Sequence, residues 1–215
     1  MANIGYLIPG TGLDDNERTR RNMILSKLAS DGTCIELVEV DEGPPSIESE
    51  EDEQAAIPHL VKLSQEKQND YDAYIIGCYS DLGIHQMREV LDIPVVGPVR
   101  ASFSTAAAAF DQFSIMTINQ AVIPILEKQV HSLGYAKNNK EIDGVEIGVL
   151  EIINKPEESL KRFEESLSRV TTSAVVPGCM SYAYLLAEKG IHQMGNIHII
   201  NPLKVSVSMA EAMVN

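Results

Sequence analysis

The chain has no tryptophan, and aromatic residues make up only 5% of its 215 positions. Basic residues are also scarce: 17 Lys and Arg face 31 Asp and Glu, leaving a formal net charge of −14. That balance argues against a nucleic-acid or anionic-membrane partner, because neutralising phosphates takes clustered Lys and Arg. No apolar run approaches the roughly 20 residues that a bilayer-spanning helix requires. The opening "MANIGYLIPGTG" lacks the basic segment and small-residue cleavage site of a secretory leader. Cysteine is rare as well. Three residues, an odd number at wide spacing, make neither a disulfide framework nor a C-x-x-C chelating pattern. These absences lead to the expectation of a protein of the reducing cytoplasm with no metal site. The "GTGLDD" stretch lacks the Lys of a phosphate-binding loop and the spacing of a dinucleotide fingerprint.

What is present is a regular alternation. Hydrophobic residues make up 44% of the chain, enough to bury a substantial core. Short apolar runs predict strands at residues 4–9, 33–40, 73–78, 94–98, 113–118, 145–150, 173–179 and 197–202. Helical patterns fill the intervals at about 17–29, 47–61, 81–91, 101–110, 122–133, 155–167 and 181–190, with a closing helix around Met209, Ala210 and Met213. Met23, Ile24 and Leu28 are expected on the apolar face of the first helix. The acidic run "IESEEDEQ" reads as the start of a helix, where negative charge complements the dipole. Such alternation predicts α/β layers around parallel sheets. Two successive sets of about four strands predict two similar lobes, residues 1–98 plus 203–215 and residues 99–202.

The chemistry lies in a repeat. "AYIIGCYS" at 73–80 aligns with "AVVPGCMS" at 174–181, with Ala, Gly, Cys and Ser coinciding at an offset of 101 residues. Each lobe thus carries a cysteine, Cys78 or Cys179, at the carboxyl end of its third strand, which is where open α/β sheets bind ligands. If the lobes are related by a pseudo-twofold, the thiols face one another across a cleft. Two facing acid–base groups suit racemisation at carbon, one removing a proton while the other supplies one from the opposite face. With each sulfur about 3 Å from the transferred proton, the two would stand on the order of 6–8 Å apart, too far for a disulfide. Ser80 or Asp81, and Ser181, are candidate caps of following helices, whose N-termini would favour a thiolate. Cys34, within a predicted strand, reads instead as a small hydrophobe. The pentapeptide "GIHQM" occurs at 83–87 and again at 190–194, out of step with the cysteine repeat, so His85 and His192 are expected to cover helix surfaces.

The sequence resembles the aspartate/glutamate/hydantoin racemase superfamily, and its hydantoin and allantoin racemase branch most. The residues that carry the resemblance are "GCYSDLG" (77–83), similar to the family's G-C-F-G-D-P-G, and "PGCMS" (177–181), similar to its L-G-C-A-G. Supporting matches are "IPGT" (8–11), "PVVG" (94–97), "FSIMT" (113–117) and "INP…MAEA" near the end. The resemblance implies a cofactor-independent, two-base racemase built from two flavodoxin-like lobes with the active site between them. It implies Cys78 and Cys179 as the bases, with Thr11 and Thr117 near the ligand, and suggests a homo-oligomer. Pro9, Tyr79, Ser80, Gly178, Met180 and Ser181 join them as candidate substrate-binding residues, the serines and adjoining backbone N–H groups being suited to a developing enolate or a carboxylate.

Departures from the branch bear on the substrate. Gly10 stands where Asn is usual, Ser80 where Gly is usual, and Ile118 where a second Thr is usual. Arg100 occupies a place usually held by an acidic residue, and could grip a substrate carboxylate through a bidentate contact or simply pair with one of the many acids. A hydantoin, allantoin or an aspartate- or glutamate-like amino acid are the candidate substrates. The rival readings are a single-cysteine isomerase, decarboxylase or hydrolase relying on Cys78, and a non-catalytic small-molecule sensor.

Overall fold

The computed structural model describes residues 2–214, which divide into two compact units. The first comprises residues 2–98 and 206–214, the second residues 99–205.

The first unit is a four-stranded, wholly parallel sheet. Its strands are β1 (Ala2–Ile8), β2 (Thr33–Glu39), β3 (Ala73–Ile76) and β4 (Val95–Val96), in the order β2-β1-β3-β4. Central strands of such sheets are covered on both faces and read as unbroken apolar runs. β3 is accordingly buried at every position, and β1 everywhere but Asn3. β2 lies at the edge and alternates, with Ile35 and Val38 inward and Cys34 and Glu36 outward. Cys34 is therefore an exposed residue and not a small hydrophobe of the core.

Helices α1 (Asp15–Leu28), α2 (Glu50–Lys67) and α3 (Ile84–Val90) complete the crossovers. Asp14 caps α1 by accepting the Glu17 N–H at 2.8 Å. Ser49 caps α2 by accepting the Asp52 N–H at 3.2 Å, and the Asp52 carboxylate reaches back to the Glu48 N–H at 3.0 Å. This is a reciprocal cap of the kind an acidic first turn is built for. The inward face of α1 is Ile24 and Leu25, while Met23 is 55% exposed, so the expected Met23–Ile24–Leu28 face is turned by one residue.

The second unit repeats the order with one strand added. Strands β5 (Phe113–Thr117), β6 (Asn139–Gly144), β7 (Ala174–Gly178), β8 (Gln193–Met194) and β9 (Ile197–Ile199) run β6-β5-β7-β9-β8. All neighbours are parallel except β8 and β9, an antiparallel pair at the edge, so this sheet has five strands where four were expected. Helices α4 (Pro98–Ala109), α5 (Ile123–Ser132), α6 (Val149–Asn154), α7 (Pro156–Ser166), α8 (Met180–Glu188) and α9 (Pro202–Val214) accompany it. Asn201 sets the start of α9, its amide oxygen accepting the Leu203 N–H at 3.0 Å while its amide nitrogen donates to the Ala183 carbonyl at 2.8 Å. The far end of α9 returns to the first unit, where Glu211 accepts from the Ser30 N–H at 2.7 Å.

The strand expected at 145–150 is displaced. The strand is the polar "NKEIDG", an edge strand with one neighbour and so without an apolar run. Val145 and Ile147 still reach the core and still donate to the Thr117 and Ile118 carbonyls at 2.9 Å, but Glu146 between them is left-handed (φ +59°) and breaks the strand. The repeated "GIHQM" takes two forms: Gly83 (φ +70°) precedes α3, whereas Gly190 (φ +67°) precedes the loop into β8. Both histidines are exposed, and only His85 lies on a helix.

Candidate active site

With the strand orders in hand, the two cysteines occupy equivalent places. In each unit the chain switches direction between its first and third strands, β1 and β3 or β5 and β7, and the crevice beyond their carboxyl ends is the usual binding point. Cys78 lies two residues past β3 and Cys179 immediately after β7.

A glycine precedes each cysteine for a steric reason. A Cβ on Gly77 would sit 2.5 Å from the Leu7 carbonyl oxygen, to which the Gly77 N–H already donates at 2.6 Å. A Cβ on Gly178 would press to 3.0 Å on both Ile115 and Thr117. The Thr117 hydroxyl, buried, donates to the Gly178 carbonyl at 3.1 Å and ties β5 to the residue that leads into Cys179.

The surroundings of the two thiols differ. Cys179 is buried, at 7% exposure, and is itself the N-cap of α8, its carbonyl accepting the Ala183 N–H at 3.1 Å. The positive end of that helix's dipole lies at Cys179. Tyr182, one turn along, has its phenol pushed up well beyond the usual range by burial and then by the Cys179 charge; its hydroxyl donates to the Ser159 carbonyl at 3.1 Å. Cys78 is half-buried on a turn, its sulfur 3.5 Å from the Ser80 hydroxyl. The expected caps are corrected here. α3 begins only at Ile84 with Gly83 as its cap residue, so neither Ser80 nor Asp81 caps it, and Ser181 lies inside α8 rather than at its cap. A thiol next to a helix N-terminus is thus found at Cys179 alone.

The remaining candidates fall at the same ends of the sheets. In the first unit, Pro9 is buried after β1, and Thr11 is pinned to the following loop, its N–H donating to the Pro44 carbonyl at 3.0 Å and its hydroxyl to the Gly43 carbonyl at 3.3 Å. Tyr79 is buried beside Cys78. In the second, Met180 and Ser181 are buried in the first turn of α8, and Arg100 is half-buried in the first turn of α4. Two residues have strained backbones that the sequence did not lead us to expect. Asp81 (φ +52°) and Glu146 (φ +59°) are the non-glycine residues of positive φ among those described, and each follows a strand at its carboxyl end. "GCYSDLG" does place an acid between turn-formers, which is the one signal that could have marked Asp81. Among the described residues no cluster of His, Cys, Asp and Glu could hold a metal ion, and no helix is long and apolar enough to cross a membrane.

Two mainly parallel α/β sheets of matching strand order, each with a Gly-Cys pair at or just past the end of its third strand, define the two-lobed class of fold to which the chain belongs. The chain belongs to the Asp/Glu/Hydantoin racemase family, whose model matches residues 17–210, and is thereby an isomerase of the racemase type. It is 30% identical to the hydantoin racemase of Pseudomonas sp. (strain NS671) over 192 residues, covering 87% of this chain and 76% of that one. It is 29% identical to the hydantoin racemase of Rhizobium meliloti over 175 residues, 79% of this chain and 72% of the other. In fold it is similar to the allantoin racemase from Klebsiella pneumoniae, with a TM-score of 0.88 at 23% identity over 100% of this chain and 88% of that one.

Proposed function

We propose that the protein racemises a carbon acid without a cofactor, with Cys78 and Cys179 as its two bases. The observation that carries the reading is the recurrence of Gly-Cys at the same point of two sheets with the same strand order. One thiolate takes the proton from the stereogenic carbon, giving an enolate stabilised by the adjacent carbonyl. The other thiol then delivers its own proton to the opposite face, and the sulfurs have exchanged states. The product's handedness is inverted, and the enzyme is ready for the reverse turnover. Backbone N–H groups at the start of α8 and the Ser80 hydroxyl are suited to the enolate oxygen.

Similarity to hydantoin racemases supports a cyclic ureide, a 5-substituted hydantoin or allantoin, as substrate. Arg100 extends the choice to substrates with a carboxylate, which its guanidinium would grip by two parallel hydrogen bonds. The unequal settings of the two thiols give a second reading its footing, a one-base enzyme that relies on a single cysteine.

Incubation of the reduced protein in deuterium oxide with single enantiomers of hydantoins, allantoin, aspartate and glutamate separates these readings. Proton NMR follows the α-proton while chiral chromatography follows inversion, with a no-enzyme control for spontaneous exchange. The two-base reading requires exchange with inversion, lost by about a thousandfold or more in both Cys78→Ser and Cys179→Ser. A silent Cys179→Ser beside a dead Cys78→Ser would select the one-base enzyme.

A further inference from the structure

Asp81 is unusual on three separate counts. Its backbone is left-handed, a conformation that favours glycine and that Asn and Asp adopt more readily than other residues. It is only 5% exposed, and an aspartate is almost never fully buried unless it is paired. Its carboxylate lies directly on the α-carbon of Gly97, so that a Cβ there would collide with the carboxyl carbon and both oxygens. Gly97 is the residue that joins β4 to α4.

The same residue closes the loop that follows β3. Its N–H points to the Cys78 carbonyl at 3.4 Å, and its own carbonyl accepts the Ile84 N–H at 3.1 Å. Tyr79, two residues before it, and Leu82, next after it, are buried at 4% and 3%. A position chosen only for a left-handed turn would carry Gly, Asn or Asp with no need of burial, and a position chosen only for burial would carry an apolar residue. An aspartate that meets both conditions, with a glycine opposite to admit its carboxylate, is a fitted part.

On the reading that Cys78 is an acid–base group, we infer that Asp81 is a positioning residue for it: the carboxylate seated on Gly97 holds the left-handed turn that fixes the backbone from which the thiol projects. Asp81 does not exchange protons with the substrate. It acts through Cys78, and proton transfer is intolerant of displacement, a misplacement of about 1 Å costing on the order of a hundredfold.

The variants Asp81→Asn, Asp81→Gly, Gly97→Ala and the double variant Asp81→Gly/Gly97→Ala test this, with thermal melts confirming that each folds. Two readouts are needed. One is kcat and KM on whichever substrate the exchange panel reveals. The other is the rate at which iodoacetamide alkylates Cys78 in a Cys34→Ser/Cys179→Ser protein, which requires no turnover. Asp81→Asn keeps both the shape and the tolerance of positive φ, so it should stay within about threefold of the parent in both readouts. Asp81→Gly relieves the backbone and removes the wedge, so kcat should fall about ten- to a hundredfold with KM little changed. Gly97→Ala, which expels the carboxylate, should match it. The double variant should be no worse than Asp81→Gly alone, because the two changes act on one contact. Alkylation of Cys78 should change several-fold in the same variants. Asp81→Asn as damaged as Asp81→Gly, additive losses in the double variant, or unchanged alkylation throughout would each overturn the inference. If no substrate is racemised, the function proposed above fails, and the alkylation rates still decide the role of Asp81.

Discussion

At the scale of single residues, the second left-handed side chain shows how the site's loops are held. Glu146 is exposed, unlike Asp81, and its carboxylate accepts from the Gln120 amide at 3.0 Å, so it ties the loop after β6 to the loop after β5. The backbone carries the cost: a β-carbon at φ +59° is held in a sparsely populated region at about 1–2 kcal/mol. Glycine removes that strain but forfeits one exposed hydrogen bond and adds freedom to the unfolded chain, each worth up to about 1 kcal/mol. Glu146→Gly is therefore expected to be near neutral, and Glu146→Ala, which keeps the strain and loses the bond, to be destabilised by about 1 kcal/mol. Urea titration of the two variants decides it. Equal losses in both would mean that the Gln120 contact, and not the backbone, governs the position.

At the scale of elements, the tightest constraint on Cys179 is the pairing of β5 with β7. Gly178↔Thr117 is the last register pair of that ladder, and the Thr117 hydroxyl bonds the Gly178 carbonyl across it. Gly178→Ala adds a methyl 3.0 Å from Ile115 and Thr117, both buried, which would have to shift to admit it. Overpacking of this kind costs about 1–3 kcal/mol and should lower the melting temperature measurably. Racemisation should fall further than stability, since the displaced residue adjoins the thiol. A melt and a rate both unchanged would show that the ladder relaxes freely there. The same elements mark how far sequence could be read. β1, β3, β5 and β7 were legible because central parallel strands are buried on both faces and spell unbroken apolar runs, and the Gly-Cys repeat followed from them. β6 was not, because an edge strand needs no such run and "NKEIDG" looks like a loop. The two-residue β8 left no period to detect. The caps of α3 and α8 were misread because Ser and Asp serve turns as readily as helix starts, and only the backbone angles of Asp81 and Cys179 distinguish the two uses.

At the scale of the whole molecule, buried phenols set an alkaline limit that both units share. Tyr74 in the first unit is fully buried, and burial, with Asp70 adding to it, pushes its hydroxyl up to about 12. Tyr71 beside it and Tyr182 in the second unit are raised still further, burial being the leading cause for both. An unfolded tyrosine ionises near pH 10, so above that pH the unfolded chain binds fewer protons than the native one. Stability must then fall as pH rises, by up to about 1.4 kcal/mol per pH unit for each buried phenol, until the folded-state value is reached. Below pH 10 both states are protonated and these groups contribute no slope. The denaturant midpoint should therefore decline steadily from pH 10 to about 12, and absorbance near 295 nm should show phenolate appearing later in native than in urea-unfolded protein. Tyr74→Phe gives up a hydrogen bond to the Ser64 carbonyl at 3.1 Å and should be less stable at neutral pH by about 1 kcal/mol. It should also lose stability more slowly than the parent above pH 10, so that the two curves converge. Parallel curves up to pH 12 would mean that Tyr74 ionises as readily in the folded protein as in the unfolded one, and that its burial is relieved before unfolding begins.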